Sequence, residues 1–138
     1  MRVFDASAHN RIVNHPAVKP AFSRDDGDLS FDDLADNPDY ALLTNEDDAA
    51  AIFEWCGPGV WQVHTLCLPS CRGARAIAEA RRMMDWMFTN EGARMIWGLT
   101  PVGNRAAVMF NRLCGAVSHG FRDHHVSGRC EIFSVERF

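Results

Sequence analysis

Nothing in this chain of 138 residues marks it for a membrane, a disulfide scaffold or a nucleic acid. Its uninterrupted apolar stretches run only a few residues, far short of the roughly 20 that a spanning helix needs, and no membrane partner is expected. The N-terminus carries no charged-then-apolar leader pattern, so the expectation is a soluble, cytoplasmic protein. A basic excess is missing as well: the formal net charge is −4 and the isoelectric point about 5.8. No basic stripe with interleaved aromatics is present, which argues against a nucleic-acid partner. The five cysteines (Cys56, Cys67, Cys71, Cys114, Cys130) are odd in number and lack CxxC spacing, so neither a disulfide framework nor a zinc ribbon is expected, only reduced, mostly buried thiols. His64, Cys67 and Cys71 fit no standard zinc spacing, and strand alternation sends their side chains to opposite faces, so no metal site is expected. The acidic stretch Asp25-Asp26-Gly27-Asp28 lacks the ligand pattern of a calcium loop and reads as a solvated face.

What the chain does have is enough apolar material for one core. Hydrophobic residues make up 47% and charged residues 23%, with six Met and four Trp, the composition of a single globular domain spanning 1–138. A chain of this length buries roughly 68% of its unfolded surface without help from a metal or disulfide. Tyr40, Trp55, Trp61, Trp86 and Trp97 supply large apolar area as core or pocket walls.

Residues 1–38 show little periodicity and several breakers, which predicts short helices and loops after a brief strand at Arg2–Phe4. Ser30 followed by Asp33 resembles a capping box for a turn of helix over Phe31–Ala35. From Tyr40 onward, β-compatible runs alternate with turn chemistry: Tyr40–Thr44, Ala50–Trp55 and Val60–Leu68, the last two separated by the hairpin signal Gly57-Pro58-Gly59. Arg72–Asn90 predicts an amphipathic helix, with Ile77, Ala80, Met84, Met87 and Phe88 on one face and Arg75, Glu79 and Arg82 on another. A strand at Ala93–Leu99, a helix at Asn104–Cys114 and closing strands at Gly115–Phe121 and Cys130–Val135 complete an α/β domain. The strand–helix–strand unit from Val60 to Leu99 implies a parallel pair with a right-handed crossover.

The segment with chemistry in it is Thr65-Leu66-Cys67-Leu68-Pro69-Ser70-Cys71-Arg72-Gly73-Ala74-Arg75, a buried strand passing through a short loop into a long helix. Such a junction presents backbone N–H groups without intrahelical partners, at the positive end of the helix dipole. Arg72 and Arg75 oppose that dipole, and their placement makes sense around an anion such as a pyrophosphate, or else as two solvated arginines.

This loop resembles the coenzyme A loop of the GNAT N-acetyltransferase superfamily, which commonly reads Val-x-Pro-x-x-Arg-Gly-x-Gly-x-Gly or Ala after the fourth strand. Cys67 takes the Val place, and Pro69, Arg72 and Gly73 match. Arg75 and Ile77 stand where the family has small residues; a register one residue earlier puts Ala74 and Ala76 there instead but loses Arg72 as the leading residue. A second stretch is similar to the family's Asn-x-x-Ala-x-x-x-Tyr-x-x-x-Gly-Phe: Asn104, Ala107 and Gly115 agree, while Asn111 replaces the Tyr that commonly protonates the departing thiolate, and Ala116 replaces Phe. The resemblance covers 40–135, and small degenerate GNAT proteins of tailed phages show a similar style.

The resemblance implies a GNAT fold, a mixed central sheet of six to seven strands flanked by helices, with a V-shaped splay between the fourth and fifth strands. Residues 1–38 would then lie on the acceptor side, with the coenzyme A loop at 67–77. It implies acetyl-CoA as co-substrate, held by Leu66, Leu68, Arg72, Gly73, Ala74, Arg75 and Asn104. Direct transfer to an amine needs a base near the end of the fourth strand, and His64 is the first candidate because imidazole titrates near neutral pH. His15, in the constrained Asn14-His15-Pro16 turn, is the second. A structural strand or capping role is the alternative for each. Cys71 beside Arg72 at a helix start is placed as an activated thiol would be, but direct transfer needs no nucleophilic cysteine. Two functions follow: acetyl transfer to a small or protein amine, or a GNAT-fold protein without turnover that binds partners, such as further copies of itself or virion proteins.

Overall fold

The computed structural model describes residues 1–23 and 25–137. Seven strands form one sheet in the order β1-β2-β3-β4-β5-β7-β6. They are β1 (Arg2–Val3), β2 (Tyr40–Thr44), β3 (Ala49–Gly57), β4 (Val60–Cys67), β5 (Met95–Pro101), β6 (Val117–His124) and β7 (Gly128–Glu136). The helices are α1 (Ser7–Val13), α2 (Asp32–Ala35), α3 (Gly73–Asn90) and α4 (Arg105–Leu113). All neighbouring strands are antiparallel except β4 and β5, which run parallel because α3 carries the chain across between them.

Period-two alternation divides the sheet's side chains between two cores. Ala41, Leu43, Ala51, Phe53 and Trp61 point one way and pack with Met83, Met84, Met87 and Phe88 of α3. Leu42, Ala50, Ile52 and Leu66 point the other way, under Ile12 and Val13 of α1 and Ala35 of α2. The buried stripe of α3 begins at Ala76 and includes Met83, whereas Ile77 and Ala80 only flank it. Glu79, expected on the polar face, is accordingly largely covered.

The Gly57-Pro58-Gly59 turn joins β3 to β4 as expected, and Gly59 has a second duty. Its carbonyl accepts the N–H groups of Arg94 (2.7 Å) and Met95 (3.0 Å), which fastens the start of β5 to the start of β4. Its φ of +73° favours glycine, and an added Cβ would come within 2.7 Å of Arg94 Nε and push that side chain aside. The Ser30 capping box does not form. Ser30 Oγ instead accepts the N–H of Asp32 two residues on, a local turn bond, and α2 has no side-chain cap. In the N-terminal segment, Asn14 takes the place of regular structure: Nδ2 donates to Leu29 O (2.8 Å) and Oδ1 accepts Leu29 N–H (2.7 Å), clamping the acidic loop against α1.

A candidate coenzyme fork between β4 and β5

The parallel ladder between β4 and β5 has only three register pairs, Val60↔Met95, Trp61↔Ile96 and Gln62↔Trp97. Beyond them the strands separate, and this is the V-shaped opening. Gly59 O already points to β5, and successive residues of a strand aim their backbone groups to opposite sides, so Val63, Thr65 and Cys67 aim theirs toward β5 as well. Even-numbered residues aim toward β3, as Leu68 shows by donating its N–H to Asp48 O (2.8 Å). The edge facing the opening therefore belongs to Thr65 and Cys67, one residue out of phase with Leu66 and Leu68. Leu66 is fully buried in the α1/α2 core and Leu68 packs against that core.

The loop beyond Cys67 is a tight turn, with Cys71 N–H bonded to Leu68 O (2.9 Å). Arg72 is extended (φ −138°, ψ 164°) and precedes α3; its Nε donates to Pro69 O (3.0 Å), and its Nη groups have no partner among the described residues. Gly73 takes φ +61°, and a Cβ placed there would meet nothing within 4 Å, so the backbone opens onto free space. No side chain caps α3 and no acidic residue stands in its first turn. The helix start thus keeps its unpaired N–H groups and partial positive charge, with Gly73 and Ala74 exposed. Arg75 turns away to the β2–β3 turn, where Nη2 bonds Asp48 Oδ1 (3.0 Å) and Asp47 Oδ2 (3.3 Å).

His64 lies at the apex of the fork, three residues past the buried Trp61 and two past Gln62, the last residue of β4 in register with β5. It shares a face with Ile52, its partner on β3, and its side chain is 42% exposed. Its Nε2 is 3.9 Å from Glu54 Oε2. Partial burial holds the imidazole below its ordinary pKa, and the Glu54 carboxylate pulls in the opposite direction. Tyr40, register partner of Glu54, completes a titratable row on this face; burial, then Glu54, pushes its phenol up. Glu54 was not singled out in the sequence, because its only signal is a place on β3 diagonal to His64.

The other expected residues lie elsewhere. His15 is engaged in its own turn, Nδ1 accepting Ala17 N–H (3.0 Å), and no bond joins it to His64. Asn104 caps α4, its Oδ1 accepting Ala107 N–H (3.1 Å). Asn111 Nδ2 donates to Thr100 Oγ1 (2.6 Å). Burial pushes the Cys67 thiol up to about 12 and also raises Cys71, so neither thiol is activated as a nucleophile. Among the described residues no group of three or more His, Cys, Asp or Glu is placed to hold a metal ion, and no helix is long and apolar enough to cross a membrane.

The strand order, the single parallel pair and its early separation define the GNAT N-acetyltransferase fold. Solved structures share it. A point mutant of spermidine N-acetyltransferase from Vibrio cholerae aligns with a TM-score of 0.65 at 16% identity, over 78% of this chain and 75% of that one. A chimera of that enzyme with hSSAT aligns with a TM-score of 0.71 at 14% identity, over 93% of this chain and 87% of its own. Ribosomal-protein-S5-alanine acetyltransferase from Vibrio fischeri gives 0.60 at 12% identity, over 70% of this chain and 60% of that one. No protein-family model matches the sequence, and no curated protein matches it.

Proposed function

We propose that this chain is an acetyl-CoA-dependent N-acetyltransferase that passes the acetyl group directly to an amine. The observation that carries the reading is the fork: an open β4 edge, an uncapped helix start and a half-exposed histidine beside a carboxylate lie along 14 consecutive residues, 62–75. The backbone of Thr65 and Cys67 pairs with the amides of the pantetheine arm as an added strand would. Arg72, Gly73 and Ala74 meet the pyrophosphate with N–H groups and a guanidinium. His64, neutral at pH 7, takes a proton from the acceptor ammonium. The freed nitrogen lone pair attacks the thioester carbonyl, an N–C bond forms as the C–S bond breaks, coenzyme A leaves as thiolate, and the second nitrogen proton goes to solvent or to that thiolate. Eleven of the 18 acidic residues fall within 25–54, where no Lys or Arg stands, a charge balance that suits a cationic acceptor.

Asn111 favours a second reading, a protein of this fold that binds coenzyme or a partner without turnover, since an amide bonded to Thr100 supplies no acid for the thiolate. Calorimetry with acetyl-CoA, followed by thiol release in the presence of amine acceptors, separates the two. Under the first reading His64→Ala lowers turnover by roughly 10² to 10⁴ and leaves coenzyme affinity nearly unchanged. Wild-type binding without any thiol release across a panel of amines supports the second reading instead.

A further inference from the structure

Resting on the coenzyme reading above, we infer that Asp48 is the positioning residue of the coenzyme loop and that Arg75 is its tether, so that the phosphate charge is met by Arg72 and the α3 N–H groups alone. Asp48 ends the β2–β3 turn, and its side chain is 1% exposed. One carboxylate oxygen accepts from Asn45 Nδ2 (3.0 Å) and Arg75 Nη2 (3.0 Å), and the other accepts from Ser70 Oγ (2.9 Å). Its backbone carbonyl accepts Leu68 N–H (2.8 Å). A single residue thus grips the loop at Leu68 and Ser70 before Gly73, and at Arg75 after it. The turn that presents it is stiff in its own right, because Asn45 Oδ1 accepts the N–H groups of Asp47 (3.0 Å), Asp48 (3.1 Å) and Ala49 (3.0 Å).

A carboxylate this deeply buried is retained only with its lone pairs met by donors, and here the donors come from the loop that it shapes. The arrangement also accounts for the long side chain at 75. Arg75 faces two carboxylates, Asp48 and Asp47, which neutralise its charge and draw it along the outside of the loop, away from the open space in front of Gly73. An arginine is compatible with the cradle because of the acidic pair at 47 and 48.

Calorimetric titration of the full chain with acetyl-CoA at two salt concentrations tests this, with S-acetyl-pantetheine, which lacks the pyrophosphate, as the second probe. Arg72→Gln should weaken acetyl-CoA binding and flatten its salt dependence, because a charged phosphate contact is lost. Arg75→Gln should weaken binding severalfold with the salt dependence of wild type. Asp48→Asn and the milder Ser70→Ala should weaken acetyl-CoA by about tenfold and severalfold, within the range for lost hydrogen bonds to a charged group, and leave S-acetyl-pantetheine unaffected. Electrostatics alone predicts the opposite sign for Asp48→Asn, since removing a negative charge beside an anion site strengthens binding. Unchanged or tighter acetyl-CoA binding by folded Asp48→Asn and Ser70→Ala would overturn the inference, as would a flattened salt dependence in Arg75→Gln. Absence of binding by the wild type would overturn the coenzyme reading itself, and this inference with it.

Discussion

Gly73→Ala separates the backbone cost of the coenzyme loop from its function. Gly73 sits at φ +61° with open space where a Cβ would go, so the substitution adds no clash and leaves only the left-handed backbone cost, about 1–2 kcal/mol. For a domain of this size that is a fall in Tm of roughly 3–8 °C. Gly115, between α4 and β6, provides the internal control: its φ is +87° and an added Cβ again meets nothing within 4 Å, but it lies outside the coenzyme loop. Scanning calorimetry should therefore find similar losses for Gly73→Ala and Gly115→Ala. Titration with acetyl-CoA should divide them, because only the methyl at position 73 projects into the space proposed for phosphate. Wild-type affinity in Gly73→Ala would refute the backbone cradle, and an unchanged Tm would refute the left-handed conformation at that residue.

Other outcomes follow from the titratable groups. Glu54→Gln removes the one influence that raises the His64 pKa, so the acid limb of the pH–rate profile should move to lower pH; a shift upward, or none, would detach Glu54 from His64. His9 is fully buried, with Nε2 3.0 Å from Ala51 O, and burial holds its pKa below the ordinary 6.5. The unfolded chain then binds the proton more readily, so His9 favours stability above about pH 6.5 and that contribution is lost as the pH falls toward the folded-state value. Thermal melts of His9→Gln should show a flatter decline of Tm below pH 6.5 than wild type, and an identical slope would count against this assignment. Of the five free thiols Cys56 is the exposed one, while Cys71, Cys114 and Cys130 are buried and Cys67 is held protonated by its raised pKa. Ellman's reagent should find one fast thiol in the native protein, abolished by Cys56→Ser, and five after denaturation.

Much of the fold is legible in the sequence because its signals are local. The β-compatible runs Tyr40–Thr44 and Val60–Leu68, the Gly-Pro-Gly turn and the helical spacing of Ile77, Ala80, Met84, Met87 and Phe88 each act over a few residues, and strands form at Tyr40–Thr44 and Val60–Cys67 and a helix at Gly73–Asn90. The order Pro69, Arg72, Gly73 likewise marks a strand-to-helix junction with an open helix start. What local signals do not contain was decided by register. The resemblance put Leu66 and Leu68 at the coenzyme, but which residues face the fork depends on which strand occupies each side of β4, and the bond from Leu68 to Asp48 turns the backbone of Thr65 and Cys67 toward it instead. The pairing of Glu54 with His64 comes from a hairpin register, and that of Arg75 with Asp48 from a contact across 27 residues of chain. Side chains meet across a sheet according to how the strands align, and alignment is fixed by burying both faces at once, a property of the whole domain that no local stretch of residues contains.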